Sequence, residues 1–336
     1  MFLKYRKLGT TDLTVSEVAF GVWTVATGWW GKVEKDDAIR LLQDATEQGV
    51  NLFDTADTYA DGYGEELLQY AFPRQKRQDV IIGTKFGYDL KTPRSGHHKE
   101  RQQRWDPEFV REACEDSLRR LGTDYIDLYQ LHNPRIDTIQ DDAVFDTLDD
   151  LVKEGKLRHY GVALGPDIGW RAEGEASMAE RKVPSVQIIY SIIEQQPARE
   201  FFAFAHDNNT GLLARVPHAS EILTDEFTNQ VKVEFDASDH RAHRKQEWLD
   251  TAFEKRSRVL FIAQETGRTL AQAAIQFCLS EPNIAAVLPN IVRKDQLDEF
   301  TISTEVASLA SDEVAELYRL YDEEFAGLEE IQPQRT

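Results

Sequence analysis

Cysteine is almost absent from this chain. Cys114 and Cys278 are its only two, far apart and without metal-ligand spacing, which excludes a disulfide framework and a cysteine-based zinc site. No run of 18 apolar residues occurs, so no membrane-spanning helix is expected. The opening MFLKYRKLG lacks the apolar core of a secretory leader, and a cytoplasmic location is expected from it. Positive charge is scarce: 39 Lys and Arg against 59 Asp and Glu leave a net charge of −20. That balance opposes binding to nucleic acid or to an anionic membrane, and an anionic ligand would need a locally basic pocket. The glycine fingerprint G-x-G-x-x-G is missing as well. Neither GVWTVATGWWG, after the first candidate strand, nor DGYGEE, after the second, has its spacing, which argues against a doubly wound dinucleotide-binding sheet. His97, His98, His206, His218, His240 and His243 also lack ligand spacing, and no metal is expected.

What is present is an alternation. Short apolar runs fall at 17–23, 50–54, 80–85, 126–132, 159–164, 185–190, 211–215 and 285–290, eight in all. Between them lie segments with helical periodicity, such as DDAIRLLQDATEQG and DPEFVREACEDSLRRLG. The second has Asp106 to cap it, Pro107 at its first position, Arg119 and Arg120 in its last turn and Gly122 beyond its end. Apolar runs buried on both faces need crossover helices, so the pattern predicts a parallel (β/α)₈ barrel occupying residues 1–336 as one domain. The opening segment reads as a hairpin around Gly9–Asp12 that plugs the barrel floor. A closing helix at 311–325 places Val314, Leu317, Leu320 and Tyr321 on one face, for packing on the barrel. The stretches 88–105 and 216–246 read as long loops.

In such a barrel, chemistry sits at the carboxyl ends of the strands. Asp54, Lys85 and His132 end the second, third and fourth strands, and Tyr59 follows Asp54 by five residues. A tyrosine is a poor acid near neutral pH, with an unperturbed pKa of about 10. An ammonium beside the phenol favours its ionised form, and a carboxylate paired to that ammonium keeps it charged in a poorly solvated pocket. A neutral histidine would then hydrogen-bond a substrate carbonyl. Alone, each of these residues would read as a satisfied polar group; together they read as a proton-donating relay. Trp29 and Trp30, in the loop GWWG, read as a substrate-pocket wall.

FDTADTYADGYGEELL, IIGTKFG, LGTDYIDLYQLH and GKLRHYGVA, in this order and spacing, resemble the successive signatures of the aldo-keto reductase family, and the resemblance spans residues 3 to 300. It implies a barrel that binds NADPH or NADH without a Rossmann domain and moves a hydride between nicotinamide and a carbonyl or alcohol carbon of a small molecule. Tyr59 matches the general acid/base, Lys85 and Asp54 its tuning pair, and His132 the residue that orients the carbonyl in the substrate pocket. Among cofactor positions, Gln187 matches the carboxamide ligand, with Tyr190 beside it, and Trp23 stands at the first strand end. Arg215 matches a residue packed on the nicotinamide, with Pro217 in the loop around the pyrophosphate and Arg241 approaching the phosphates. Asn290, Arg293, Lys294 and Gln296 lie where the adenosine end binds. The chain departs from the family at Ala163 and Leu164, where Ser-Asn is usual, and around Asn290, Val292 and Phe300. The resemblance favours NADP(H) and leaves NAD(H) open. Two rivals differ in kind: a cofactor-sensing regulatory subunit with little turnover, and a lyase forming a Schiff base on Lys85. The pairing of Lys85 with Asp54 opposes the latter, because it holds the amine protonated.

Overall fold

A computed structural model of the protein describes residues 3–92, 101–165, 170–226, 246–264 and 266–325. Strands β1 (Tyr5–Lys7) and β2 (Thr14–Ser16) pair as an antiparallel hairpin. Eight further strands lie side by side in chain order: β3 (Phe20–Gly21), β4 (Leu52–Asp54), β5 (Ile81–Phe86), β6 (Ile126–His132), β7 (Leu157–Ala163), β8 (Ser185–Ile189), β9 (Gly211–Arg215) and β10 (Ile284–Leu288). All seven neighbouring pairs are parallel. The ring closes through backbone bonds from Ala19 N–H to the Val287 carbonyl, 2.9 Å, and from Val287 N–H to the Glu17 carbonyl, 2.8 Å. This is the expected (β/α)₈ barrel.

Helices fill each crossover: α1 (Trp23–Thr27) and α2 (Lys35–Glu47) after β3, α3 (Tyr63–Ala71) after β4, and α4 (Pro107–Leu121) after β5. Then come α5 (Ile136–Gln140) and α6 (Asp142–Lys153), α7 (Arg171–Ala179), α8 (Ala198–Asn208), α9 (Gln246–Val259) and α10 (Leu270–Leu279). Two more, α11 (Lys294–Thr301) and α12 (Ser311–Leu320), follow β10. Local chemistry explains the boundaries. Asp106 caps α4 by accepting from Phe109 N–H at 3.1 Å, and Gly122 ends it in the left-handed conformation. A reciprocal capping box between Thr269 and Gln272 starts α10. In α12, Leu317 and Leu320 are buried, as is Tyr321 just beyond, so its apolar face packs inward as expected.

The first barrel strand is shorter than the expected 17–23. After Gly21 the hydroxyl of Thr24 donates to the Ile291 carbonyl and that of Thr27 to the Trp23 carbonyl, 2.7 and 2.8 Å. These bonds turn the chain into α1, so Trp23 starts a helix rather than ending a strand.

The barrel interior changes character over one strand repeat. At the bottom, Leu52, Leu128, Leu213 and Ala286 form a cluster with Leu8 and Leu13 from the hairpin, which therefore plugs the floor. Burying Leu8 completely contributes about 1.5–3 kcal/mol. Gly9 permits the close approach: a Cβ there would lie 2.2 Å from the Pro184 carbonyl oxygen, and its φ of +52° favours glycine. Two residues further along their strands, Leu52 gives way to Asp54, Leu128 to Gln130 and Ser185 to Gln187. Because side chains alternate with period two, these polar groups share the inward face with the residues beneath them. Among the described residues, no helix is long and apolar enough to cross a membrane.

Candidate active site

Asp54, Gln130 and Gln187 come from β4, β6 and β8, alternate strands that contribute to one interior layer. The Gln130 and Gln187 amide nitrogens both donate to Asp54 Oδ1, at 3.0 and 2.9 Å. Asp54 Oδ2 accepts from Lys85 Nζ at 2.5 Å. The same ammonium donates to the Thr55 carbonyl at 2.7 Å and to Tyr59 Oη at 3.1 Å. Lys85 is 1% exposed. Burial by itself would lower its pKa, but the charge of Asp54 and the contact with Tyr59 outweigh it and hold the amine above its ordinary value. A charged amine therefore touches both a carboxylate and a phenol at the barrel mouth.

Tyr59 is carried there by a tight loop. Ala60, Asp61 and Gly62 all have positive φ before α3 begins, a run of left-handed backbone that reverses the chain just past the phenol. Gly64 makes room for it: a Cβ at that position would stand 2.6 Å from Thr55 Oγ1 and 3.1 Å from Tyr59 Cβ. The His132 ring meets the Tyr59 ring edge-on, with centroids 6.2 Å apart, and the Tyr88 ring at 5.2 Å. Burial, and then the nearby charges of Lys85 and Arg215, push His132 well below the usual histidine range, so the imidazole is neutral. Its Nδ1 is buried and has no hydrogen-bond partner among the described residues.

Behind the relay lies a second buried set. Glu65 accepts from Thr84 Oγ1 and from Arg120 Nε, each at 2.6 Å. Asp57 is raised well above the carboxylate range by burial and by Glu65, which favours its protonated form.

The structure brings the four residues of the expected relay together. The other candidates divide. Arg215, at the end of β9, donates to the Leu164 carbonyl, and its buried Nε has no partner among the described residues. Pro217 is buried in the following turn, where Val216, Ala219, Ser220 and Glu221 all have positive φ. Such strain in a β-branched and other non-glycine residues is characteristic of ligand-binding turns. Asn290, Arg293 and Gln296 line a cleft between the end of β10 and α11, together with Glu221 and Glu226. Lys294, on the exposed start of α11, pairs with Asp298 at 2.7 Å. Arg241 lies outside the described residues.

Tyr190 does not join the site. Its ring packs on Phe202 and Phe277 and its hydroxyl meets that of Tyr318 at 3.2 Å, which places the side chain in the helix layer. The alternation of strand side chains predicts this, because Gln187 and Tyr190 are an odd number of positions apart. The tryptophans also separate from the expected arrangement. Trp23 holds Trp29 and Trp30 edge-on, with centroids at 5.7 and 5.9 Å, and Trp30 lines the Asn290–Gln296 cleft. The loop 88–105 is described only at its ends, where Arg101 pairs with Asp61 at 2.7 Å and Gln103 donates to the His132 carbonyl at 2.9 Å.

Gln130 escaped the sequence reading, although its position two residues before His132 in an apolar strand places it on the same inward face. Glu221 and Glu226 also escaped it, because nothing local in a long loop marks them as cleft residues. The combined donor set suits a dinucleotide: an amide beside the relay, a guanidinium with a buried unmatched N–H, a strained turn, and a cleft walled by an indole and lined with amides and carboxylates.

Comparison with known proteins agrees with this architecture. The model of the aldo/keto reductase family matches residues 17–322. The uncharacterized oxidoreductase YqkF of Bacillus subtilis is 28% identical over 320 residues, covering 94% of this chain and 95% of that protein. The NADH-specific methylglyoxal reductase of Escherichia coli is 30% identical over 240 residues, covering 67% of this chain and 71% of the relative. Among solved structures, the holo form of aldo-keto reductase AKR11C1 from Bacillus halodurans aligns with a TM-score of 0.76 at 28% identity, covering 95% of this chain and 96% of that one. Matched from its first barrel strand to its last helix, with the strand-end residues gathered at one mouth, the chain belongs to the aldo/keto reductase family.

Proposed function

We propose that this protein is an NAD(P)(H)-dependent oxidoreductase acting on a carbonyl or alcohol carbon of a small molecule, with Tyr59 as general acid/base. The observation that carries the reading is the position of Lys85 Nζ, 2.5 Å from Asp54 Oδ2 and 3.1 Å from Tyr59 Oη. When bound, the nicotinamide supplies or accepts the hydride. In the reducing direction Tyr59 gives its hydroxyl proton to the carbonyl oxygen, and the charge left on the phenol oxygen is stabilised by the Lys85 ammonium. Asp54 keeps that ammonium charged although it is buried. His132, neutral, hydrogen-bonds the carbonyl oxygen and orients it without competing as an acid.

Gln187 commits its amide nitrogen to Asp54, so its carbonyl oxygen is the atom with which it would hold a carboxamide. Ala163 and Leu164 offer backbone groups only. Arg215 would flank the nicotinamide ring, Pro217 and its strained turn the pyrophosphate, and Asn290, Arg293, Lys294 and Gln296 the adenosine. Trp23 would wall the cofactor side and Trp29 the substrate side. The intact contact among Tyr59, Lys85 and Asp54 favours turnover over a purely sensory role.

The test is Tyr59→Phe, assayed on a panel of aldehydes and ketones with both reduced nucleotides. Turnover should fall by roughly 10²–10⁴, while nucleotide affinity, read from protein fluorescence, stays within about threefold. Comparable turnover in the variant would remove Tyr59 from this role.

A further inference from the structure

Among the described residues that line the cleft between β10 and α11, the charged ones are Glu221, Glu226 and Arg293. Glu226 accepts from Arg293 at 2.7 Å and from the Gln296 amide at 2.9 Å, and Glu221 accepts from the Asn290 amide at 2.9 Å. Among the described residues, the cations that would serve a phosphate here already face carboxylates: Arg293 is shared between Glu226 and Asp295, and Lys294 pairs with Asp298. Among the described residues, Glu226, Asp295 and Asp298 thus hold both Arg293 and Lys294. Trp30 supplies an aromatic wall, a surface on which a flat heterocycle packs.

These groups distinguish a ribose diol from a ribose phosphate. Carboxylates accept hydrogen bonds from hydroxyls, and an acidic residue at the adenosine ribose is the usual solution for a 2′-hydroxyl, as an arginine is for a 2′-phosphate. A phosphate monoester near pH 7 carries about −1.5 to −2. To bind it, the cleft would have to release Arg293 from Glu226 and leave that carboxylate facing a like charge. The dinucleotide lacking the phosphate needs no such rearrangement.

We infer that this cleft selects the dinucleotide with a free adenosine ribose diol, NAD(H) over NADP(H), and that Glu226 is the main discriminator, with Arg293 held by it rather than by a ligand. The inference rests on the cofactor reading proposed above and turns the preference implied by the family resemblance around.

Affinity, not turnover, tests it. Titrating protein fluorescence with NADH and NADPH should give a dissociation constant at least tenfold lower for NADH, and 5′-AMP should compete better than adenosine 2′,5′-bisphosphate. Glu226 is partly exposed, so Glu226→Gln should fold normally, with an unchanged thermal midpoint. It should shift the NADPH-to-NADH affinity ratio at least tenfold toward NADPH, chiefly by releasing Arg293. Equal or tighter binding of NADPH to the unaltered protein, or a ratio unmoved in the variant, overturns the selectivity while leaving the cofactor reading in place. Binding of neither nucleotide overturns both.

Discussion

Replacing Asp54 by Asn strands a charge, and the consequence is calculable. Lys85 is 1% exposed and has Asp54 as its carboxylate partner at 2.5 Å. Removing one member of a buried pair costs about 3–5 kcal/mol, because the survivor stays desolvated and uncompensated. For a chain of 336 residues, the average unfolding entropy converts 1 kcal/mol into about 1.4 °C, so the midpoint should drop by roughly 4–7 °C. The pH dependence carries a definite sign. In the unaltered protein the Lys85 pKa is raised, so its stabilisation is fully present below the ordinary lysine value and is lost only as pH rises through the raised one. Between pH 6 and 9 this group therefore contributes no slope. In Asp54→Asn burial prevails, the folded-state value falls below the unfolded one, and stability should rise with pH over that interval. Thermal melts at pH 6 and 9, on the single variant and on Asp54→Asn/Lys85→Met, provide the assay. The double variant should recover at least half of the loss at pH 6, since the stranded charge has gone. If it is no more stable than the single variant, Asp54 is not there to balance Lys85, and the electrostatic account of the relay fails.

Gly64→Ala should displace Tyr59, because the new methyl would stand 3.1 Å from Tyr59 Cβ and 2.6 Å from Thr55 Oγ1; a loss of about 1–3 kcal/mol with a reduced kcat is expected, and urea unfolding together with initial rates would show it. His218, buried against Phe300 and pushed down to about 4 by burial, binds no proton in the fold until well below the unfolded value of about 6.5. Stability should therefore fall as pH drops from about 6.5 toward 4, by about 3 kcal/mol from this group, and urea midpoints of His218→Gln should show a correspondingly shallower slope. His132, also held neutral, should give no break in the pH–rate profile between pH 6 and 8; a break there that vanishes in His132→Gln would contradict its neutrality.

Much of this was legible from residue order. Strands β6 and β9 fall where the apolar runs place them, and α4 begins and ends at its cap, Pro107 and Gly122, because those signals are local. The strand-end residues were legible for a related reason: strand periodicity fixes the inward face, and barrel topology fixes which end is open. Trp23 was misplaced because the hydroxyl of Thr24 finds its partner at Ile291, 267 positions away, a tertiary contact that no window contains. Tyr190 faces Phe202, Phe277 and Tyr318 in the helix layer rather than Gln187, as the alternation of strand side chains already indicated. The pairing of Glu226 with Arg293 in the β10–α11 cleft was hidden because the two residues, 67 positions apart, meet only once the ring has closed.

Closure has one more consequence, for the order of assembly. The Arg6 guanidinium is sewn to the carbonyls of Leu279, Glu281 and Ile284, and Leu8 shares its cluster with Ala285 and Leu288. The beginning of the chain thus finds its final neighbours only after some 280 residues have been synthesised. Contacts so remote in sequence are slow to form. During translation the opening hairpin waits without its permanent seat, and its amides should be the late ones to gain protection in a pulse-labelled refolding experiment.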